Sequence, residues 1–232
     1  MHSLEAASFD AWIKLYRPDE NSPNSTVSYY RKGELVNALF DVEIRARTNG
    51  ARSLDHVLAL LWQRYGKEER PVPEDAMQSL FEEAAGVSLG DLFDRWVRGT
   101  AEVDAATTLR KVGLTVERPS KEGAALGVRT REIGGRVVVQ SVLRGSAAHA
   151  AGIDAGDEVV AIGGRRVEGS SLDAIVSKLA PHATTEVLVV RDGRLRTLAV
   201  TLDAPRDRRV KIVPAEGATD AEKALYRAWL AV

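Results

Sequence analysis

Gly156-Asp157-Glu158-Val159-Val160-Ala161-Ile162-Gly163-Gly164 decides how the second half of this sequence folds. An apolar, largely β-branched middle between glycine turns reads as a short buried strand, residues 158–162. Working outward from it, the same pattern recurs. Residues 115–117, 126–130, 136–142, 186–190 and 195–202 are further strands, separated by glycine-bearing turns. Asp192-Gly193 joins the last two as a hairpin, because both residue types accept the left-handed backbone that a two-residue turn needs. Two helical pieces lie between the strands. Residues 147–151 form one; residues 172–179 form the other, with Leu172, Ile175, Val176 and Leu179 on one face.

Before Asp104 the period changes to that of helices. Residues 4–16 predict one helix, and the turn-rich segment 18–26 that follows predicts a loop. A long helix runs over 29–47, with Leu35, Leu39, Val42 and Ala46 as its apolar face and Glu34, Asn37, Asp41 and Arg45 as a polar stripe. Ser53 caps the next helix, which carries Leu54, Leu58, Leu61 and Tyr65. Shorter helices carry Met77, Leu80, Phe81 and Ala84, then Leu89, Leu92, Phe93, Trp96 and Val97. Thr219 and Glu222 make a capping box for a terminal helix bearing Leu225, Trp229 and Leu230. The sequence thus predicts an α+β chain of two domains: helices over 1–104, a β-rich module over 105–205, and a tail with a helix over 206–232.

Composition narrows the chemistry. The 232 residues are 44% hydrophobic and 28% charged, with net charge −1. The first 104 residues carry 12 Lys and Arg against 18 Asp and Glu, and the remainder 20 against 15, so the parts are −6 and +5. The later basic residues are scattered without aromatic partners, so the asymmetry marks a domain boundary and no nucleic acid is expected as a partner. No apolar run reaches the roughly 20 residues of a membrane span, and no secretory signal opens the sequence. With no cysteine and four histidines, His2, His56, His149 and His182, none at i, i+4 spacing, no metal site is expected within the chain.

In the β module, Ala125-Leu126-Gly127-Val128, Ser146-Ala147-Ala148-His149-Ala150-Ala151-Gly152-Ile153 and the stretch quoted first together resemble a PDZ domain in the permuted bacterial arrangement of Deg-type proteases. The resemblance runs from about residue 107 to 202 and implies a peptide clamp. An extended peptide would add as a strand beside Leu126, Gly127 and Val128, whose backbone N–H groups would hold a terminal carboxylate. Leu172, Ile175 and Leu179 would form the opposite wall; for Leu172 and Leu179 a plain core position fits as well.

In the helical part, Ser3-Leu4-Glu5, Ser8, Trp12, Tyr16-Arg17-Pro18, Asn21-Ser22-Pro23-Asn24 and Val27-Ser28-Tyr29-Tyr30-Arg31-Lys32-Gly33, with Asp41 and Arg45, resemble the glycyl aminopeptidase family. These are bacterial zinc metallopeptidases with a thermolysin-like catalytic domain and a C-terminal PDZ module. The resemblance implies that Tyr30, in Tyr-x-Lys-Gly, donates a hydrogen bond to the oxyanion of the tetrahedral intermediate, with Tyr29 as the alternative if the match slips by one. Lys32 and Gly33 would be structural, Gly33 allowing close packing where the helix starts. The family's zinc is held by an HExxH helix and a downstream glutamate, and none of these occurs here. The resemblance therefore implies a C-terminal portion of such an enzyme, beginning after the metal site and inactive alone, whose partners are the remaining catalytic region and a peptide C-terminus. The alternative is a non-catalytic PDZ adaptor with a helical scaffold.

Overall fold

The computed structural model describes residues 2–119, 122–205 and 209–230. It divides into two compact units, residues 1–16, 26–117 and 210–232 in the first and residues 17–25 and 118–209 in the second.

The first unit opens with α1 (Leu4–Phe9) and α2 (Ala11–Lys14). The stretch predicted as one helix is therefore two. Ser3 caps α1 by accepting from Ala6 N at 3.1 Å, and the chain turns at Asp10. A four-residue helix, α3 (Ser22–Ser25), lies in the predicted loop and falls in the second unit. The long helix is α4 (Tyr29–Arg47), started by Ser28, whose Oγ accepts from Arg31 N. Around it stand α5 (Leu54–Arg64), α6 (Met77–Ala85), α7 (Gly90–Leu92), a π-helical turn over Phe93–Arg98, and α8 (Ala105–Arg110).

Helix α4 is central, in contact with α1, α5 and α8. Its buried face keeps Leu39 and Val42 of the expected stripe but is wider and turned away from Leu35. Leu35 is 40% exposed, whereas Val36, Leu39, Phe40 and the whole run from Val42 to Arg45 are buried. The ring of Phe40 meets Phe81, Phe93 and Trp96 at centroid distances of 5.3, 5.0 and 5.4 Å, a tilted and edge-to-face cluster that locks the helices together. The supposed polar stripe is partly a buried network. Asp41 accepts from Leu54 N at 2.7 Å and from Arg45 Nε at 3.2 Å, and Arg45 Nη1 donates to Ala228 O at 3.0 Å.

Residues 115–117, read as part of the β module, lie in β1 (Leu114–Glu117) of the first unit.

The second unit is a twisted antiparallel sheet. Its strands are β2 (Val128–Ile133), β3 (Arg136–Val142), β4 (Glu158–Ile162), the two-residue β5 (Arg165–Arg166), β6 (Thr184–Arg191) and β7 (Arg194–Thr201). They run in the order β2-β3-β4-β6-β7, with β5 beside β4. Asp192 and Gly193 make the β6–β7 turn with φ of +51° and +71°. Helices α9 (Ala147–Ala150) and α10 (Ser171–Val176) bury Ala147, Ala148, Leu172 and Val176 against Val139, Val159, Ile162 and Val187. The Asp157 carboxylate is held by Asp154 N at 2.9 Å and by two bonds from Arg191 at 2.7 Å, which accounts for the acidic start of the opening stretch.

The tail returns to the first unit. Strand β8 (Lys211–Pro214) pairs antiparallel with β1, Leu114 opposite Pro214. Helix α11 (Asp220–Leu230) then packs on α4. Its capping box is formed, Glu222 Oε2 accepting from Thr219 N at 2.7 Å and Thr219 Oγ1 from Glu222 N at 3.2 Å.

Candidate functional site

Tyr29 and Tyr30 are the first two residues of α4, where the Ser28 cap fixes the backbone. Their rings stack at 4.2 Å. Tyr16, just past α2, brings its hydroxyl to 2.6 Å from that of Tyr30 and 3.3 Å from that of Tyr29, and its ring lies 5.1 Å from Trp12. The Tyr30 side chain is 58% exposed, and Trp12 and Tyr16 are open to solvent with it. The hydrogen bonds with Tyr16 move the two phenols in opposite directions: Tyr29 is pushed above its ordinary 10.0 and Tyr30 below it. Burial pushes the nearby Lys32 ammonium down.

Gly33 does not play the packing role expected of it. Among the described residues nothing outside its own helix turn lies within 4 Å of where its Cβ would be. Reading residue types could not reveal Tyr16 as the hydroxyl partner, since it is 14 positions from Tyr30 across a loop.

In the second unit β2 is an edge strand, so its outer side is free of a sheet neighbour. Gly127 enters it with φ of +85°, and a Cβ there would sit 2.2 Å from Ser146 Cβ. The Leu126 carbonyl accepts from Ala148 N and the Gly127 carbonyl from Leu143 N, both at 2.9 Å. Among the described residues no backbone carbonyl meets the N–H of Leu126 or Gly127.

The opposite wall is split. Leu126 and Leu172 are 4% and 2% exposed and belong to the core, whereas Val128, Ile175 and Leu179 are half-buried against it. Helix α10 ends at Val176, so Leu179 lies on the turn beyond. Close approaches at the two glycines, Gly123 to Ser177 and Gly169 to Glu132, show that the segment containing β2 and the one containing α10 run side by side in opposite directions. The polar loop before α4 also reaches this region. Asn24 donates Nδ2 to Val142 O at 2.8 Å and accepts from Arg144 N at 2.8 Å, and Val142 is the register partner of Val128.

The histidines do other work: His56 Nδ1 accepts from Ser53 N at 3.2 Å in a capping box, and His2 lies 3.0 Å from Lys14 Nζ. Among the described residues no three His, Asp or Glu side chains gather as a metal centre requires.

Comparison with known proteins finds two family matches. Residues 124–202 match the PDZ domain model, and residues 1–36 match the M61 glycyl aminopeptidase model. Residues 1–36 are thus similar to the glycyl aminopeptidase family and residues 124–202 to PDZ domains. It is 30% identical over 144 residues to a Ralstonia nicotianae protein named "Putative zinc metalloprotease", the match covering 60% of this chain and 30% of that protein. The crystal structure of an aminopeptidase N family protein from Idiomarina loihiensis superposes with a TM-score of 0.82 over 97% of this chain and 40% of that one. At 23% identity this likeness shows the fold. The chain thus spans well under half of either relative. Among the described residues no helix is long and apolar enough to cross a membrane.

Proposed function

We propose that this chain supplies the transition-state tyrosine and a peptide-binding PDZ domain to a zinc-dependent aminopeptidase, whose metal and general base reside in parts of the enzyme outside this sequence. The observation that carries the reading is the coincidence of two independent facts at one residue. The M61 match spans residues 1–36, including Tyr30-Arg31-Lys32-Gly33, and Tyr30 presents an exposed hydroxyl whose ionisation is pulled down by its neighbour.

Tyr30 O–H donates to the oxyanion that develops when water adds to the scissile carbonyl. A phenol serves because it stays protonated at neutral pH yet is acidic enough to donate strongly where charge appears. Zinc, where the enzyme holds it, polarises that carbonyl and the attacking water. Phe9, Trp12 and Ile13, at 84%, 79% and 66% exposure, lie just before Tyr16 in sequence and leave apolar surface for the remaining catalytic region to cover. The preference for N-terminal glycine is carried over from the family name alone. At β2 a peptide C-terminus adds as a strand, its carboxylate on the N–H groups of Leu126 and Gly127 and one side chain against Val128, Ile175 and Leu179.

The test is Tyr30→Phe in the enzyme joined to its metal-bearing region. Turnover should fall on the order of 10² to 10³ with KM little changed. Unaltered turnover sinks the catalytic reading and leaves the PDZ adaptor. For the clamp, peptides with a free carboxylate should bind better than amidated ones; equal binding refutes carboxylate capture.

A further inference from the structure

The three phenols around the start of α4 form a chain with a direction. Tyr16 is its middle member, 2.6 Å from Tyr30 and 3.3 Å from Tyr29. A phenol has one proton to give. If Tyr16 gives it along the short contact to Tyr30, then Tyr29 gives its own to Tyr16, and Tyr30 keeps a proton that no phenol receives. The reverse order would direct the Tyr30 proton inward and spend it on Tyr16.

We propose that Tyr16 is a positioning residue: it donates to Tyr30 Oη at 2.6 Å and thereby leaves the Tyr30 O–H as the outward-facing donor of the cluster. This rests on the reading of Tyr30 as the oxyanion donor. Two consequences serve that role. Accepting a hydrogen bond polarises the Tyr30 O–H and strengthens its own donation. Stacking on Tyr29 and bonding to Tyr16 together fix the ring and oxygen before any substrate arrives, so less reorganisation is left for the transition state. The ionisation directions agree with this order. Tyr29, which donates, is held above the ordinary phenol value, and Tyr30, which accepts, below it. The same direction chooses Tyr30 over its neighbour, because Tyr29 has already committed its proton to Tyr16.

The experiment is a pH titration of the 232-residue chain labelled at tyrosine Cζ, read by NMR, with its five tyrosines assigned by single Tyr→Phe substitutions. Tyr30 should ionise first of the cluster. Tyr16→Phe should raise the Tyr30 midpoint by up to about one pH unit and lower that of Tyr29. Tyr29→Phe should raise Tyr30 less than Tyr16→Phe does, since the Tyr16 hydrogen bond is the larger of the two that lower it, and Tyr226→Phe should move neither. A Tyr30 midpoint that ignores Tyr16→Phe, or that responds only to Tyr29→Phe, overturns the proposal. In the assembled enzyme Tyr16→Phe should lower kcat by roughly tenfold or less at unchanged KM, with no further loss in a Tyr30→Phe background. Losses that add in the double variant also overturn it. If instead Tyr30→Phe has no effect on turnover, the catalytic reading fails, while the titration still judges Tyr16.

Discussion

Each of the two functional regions contains a glycine, Gly33 in the tyrosine segment and Gly127 at the mouth of the PDZ edge, and they are there for opposite reasons. Gly127 is demanded by its own unit. Its φ is +85°, and a Cβ would overlap Ser146 at 2.2 Å, so the loop takes only glycine here. Gly33 is helical, and its own unit makes no such demand, for among the described residues nothing outside its own helix turn lies within 4 Å. The backbone shape at the proposed PDZ site is therefore fixed within its own unit. The tyrosine site is a set of exposed side chains whose surroundings leave room for something else.

The largest effect separates the regions by kind. Tyr30→Phe in the assembled enzyme should cost on the order of 10² to 10³ in turnover while leaving the melting of the chain almost unmoved, because the hydroxyl is exposed and buries nothing. Gly127→Ala should do the converse within the PDZ domain. Overlap with Ser146 and a left-handed alanine together should destabilise that unit by about 2–4 kcal/mol, seen as faster amide exchange there than in the helical unit. An alanine variant of unchanged stability that still binds peptide would dissolve the contrast.

Acid should also tell the units apart. Burial opposes the charge on Asp157, but Arg191 and the Asp154 N–H outweigh it and hold the carboxyl below its usual 3.8. A depressed folded value means that the stabilisation is whole above the unfolded value near 3.9 and is lost as pH falls through the folded one. Asp157→Asn should therefore cost roughly 3 kcal/mol at neutral pH, and its stability curve should begin to approach that of the parent chain near about pH 4 and meet it only as pH falls through the lower folded value. Asp91 in the helical unit is pushed down to about 2, first by Arg47, yet its side chain is 50% exposed. Solvent screening leaves Asp91→Asn a cost under about 1 kcal/mol. Chemical denaturation of each variant across pH measures both.

Legibility followed the range over which each feature is determined. Helix α4 has its predicted ends because Ser28 and Thr48 bound it locally, and the Thr219–Glu222 box and the Asp192-Gly193 turn are likewise written within four residues. The edge position of β2 came with the motif. The pairing of β1 with β8 was not legible, since nothing in Leu114–Glu117 names a partner almost a hundred residues away. For the same reason residues 115–117 were read into the wrong sheet. The face of α4 is only partly legible because Arg45 looks solvent-facing, yet it and Glu43 are buried and satisfied, Glu43 by Arg47 and Lys111. Tyr16 escaped because a hydroxyl contact across a loop leaves no periodic trace.

The smallest effect tests what the empty space at Gly33 is for. A glycine inside a helix costs roughly 0.5–1 kcal/mol relative to alanine, through the freedom of the unfolded chain, and here no contact opposes the added methyl. Gly33→Ala should therefore raise the stability of the chain by about that amount, measured by denaturant midpoint at constant m-value. Gly33 lies one turn beyond Tyr30, at the i, i+3 spacing that puts two side chains on one helix face. If that space admits the substrate or the remaining catalytic region, the same methyl that stabilises the chain should weaken turnover in the assembled enzyme. A variant both more stable and fully active would mean that Gly33 answers neither to its own fold nor to the site, and that the contrast with Gly127 reflects packing in one unit alone.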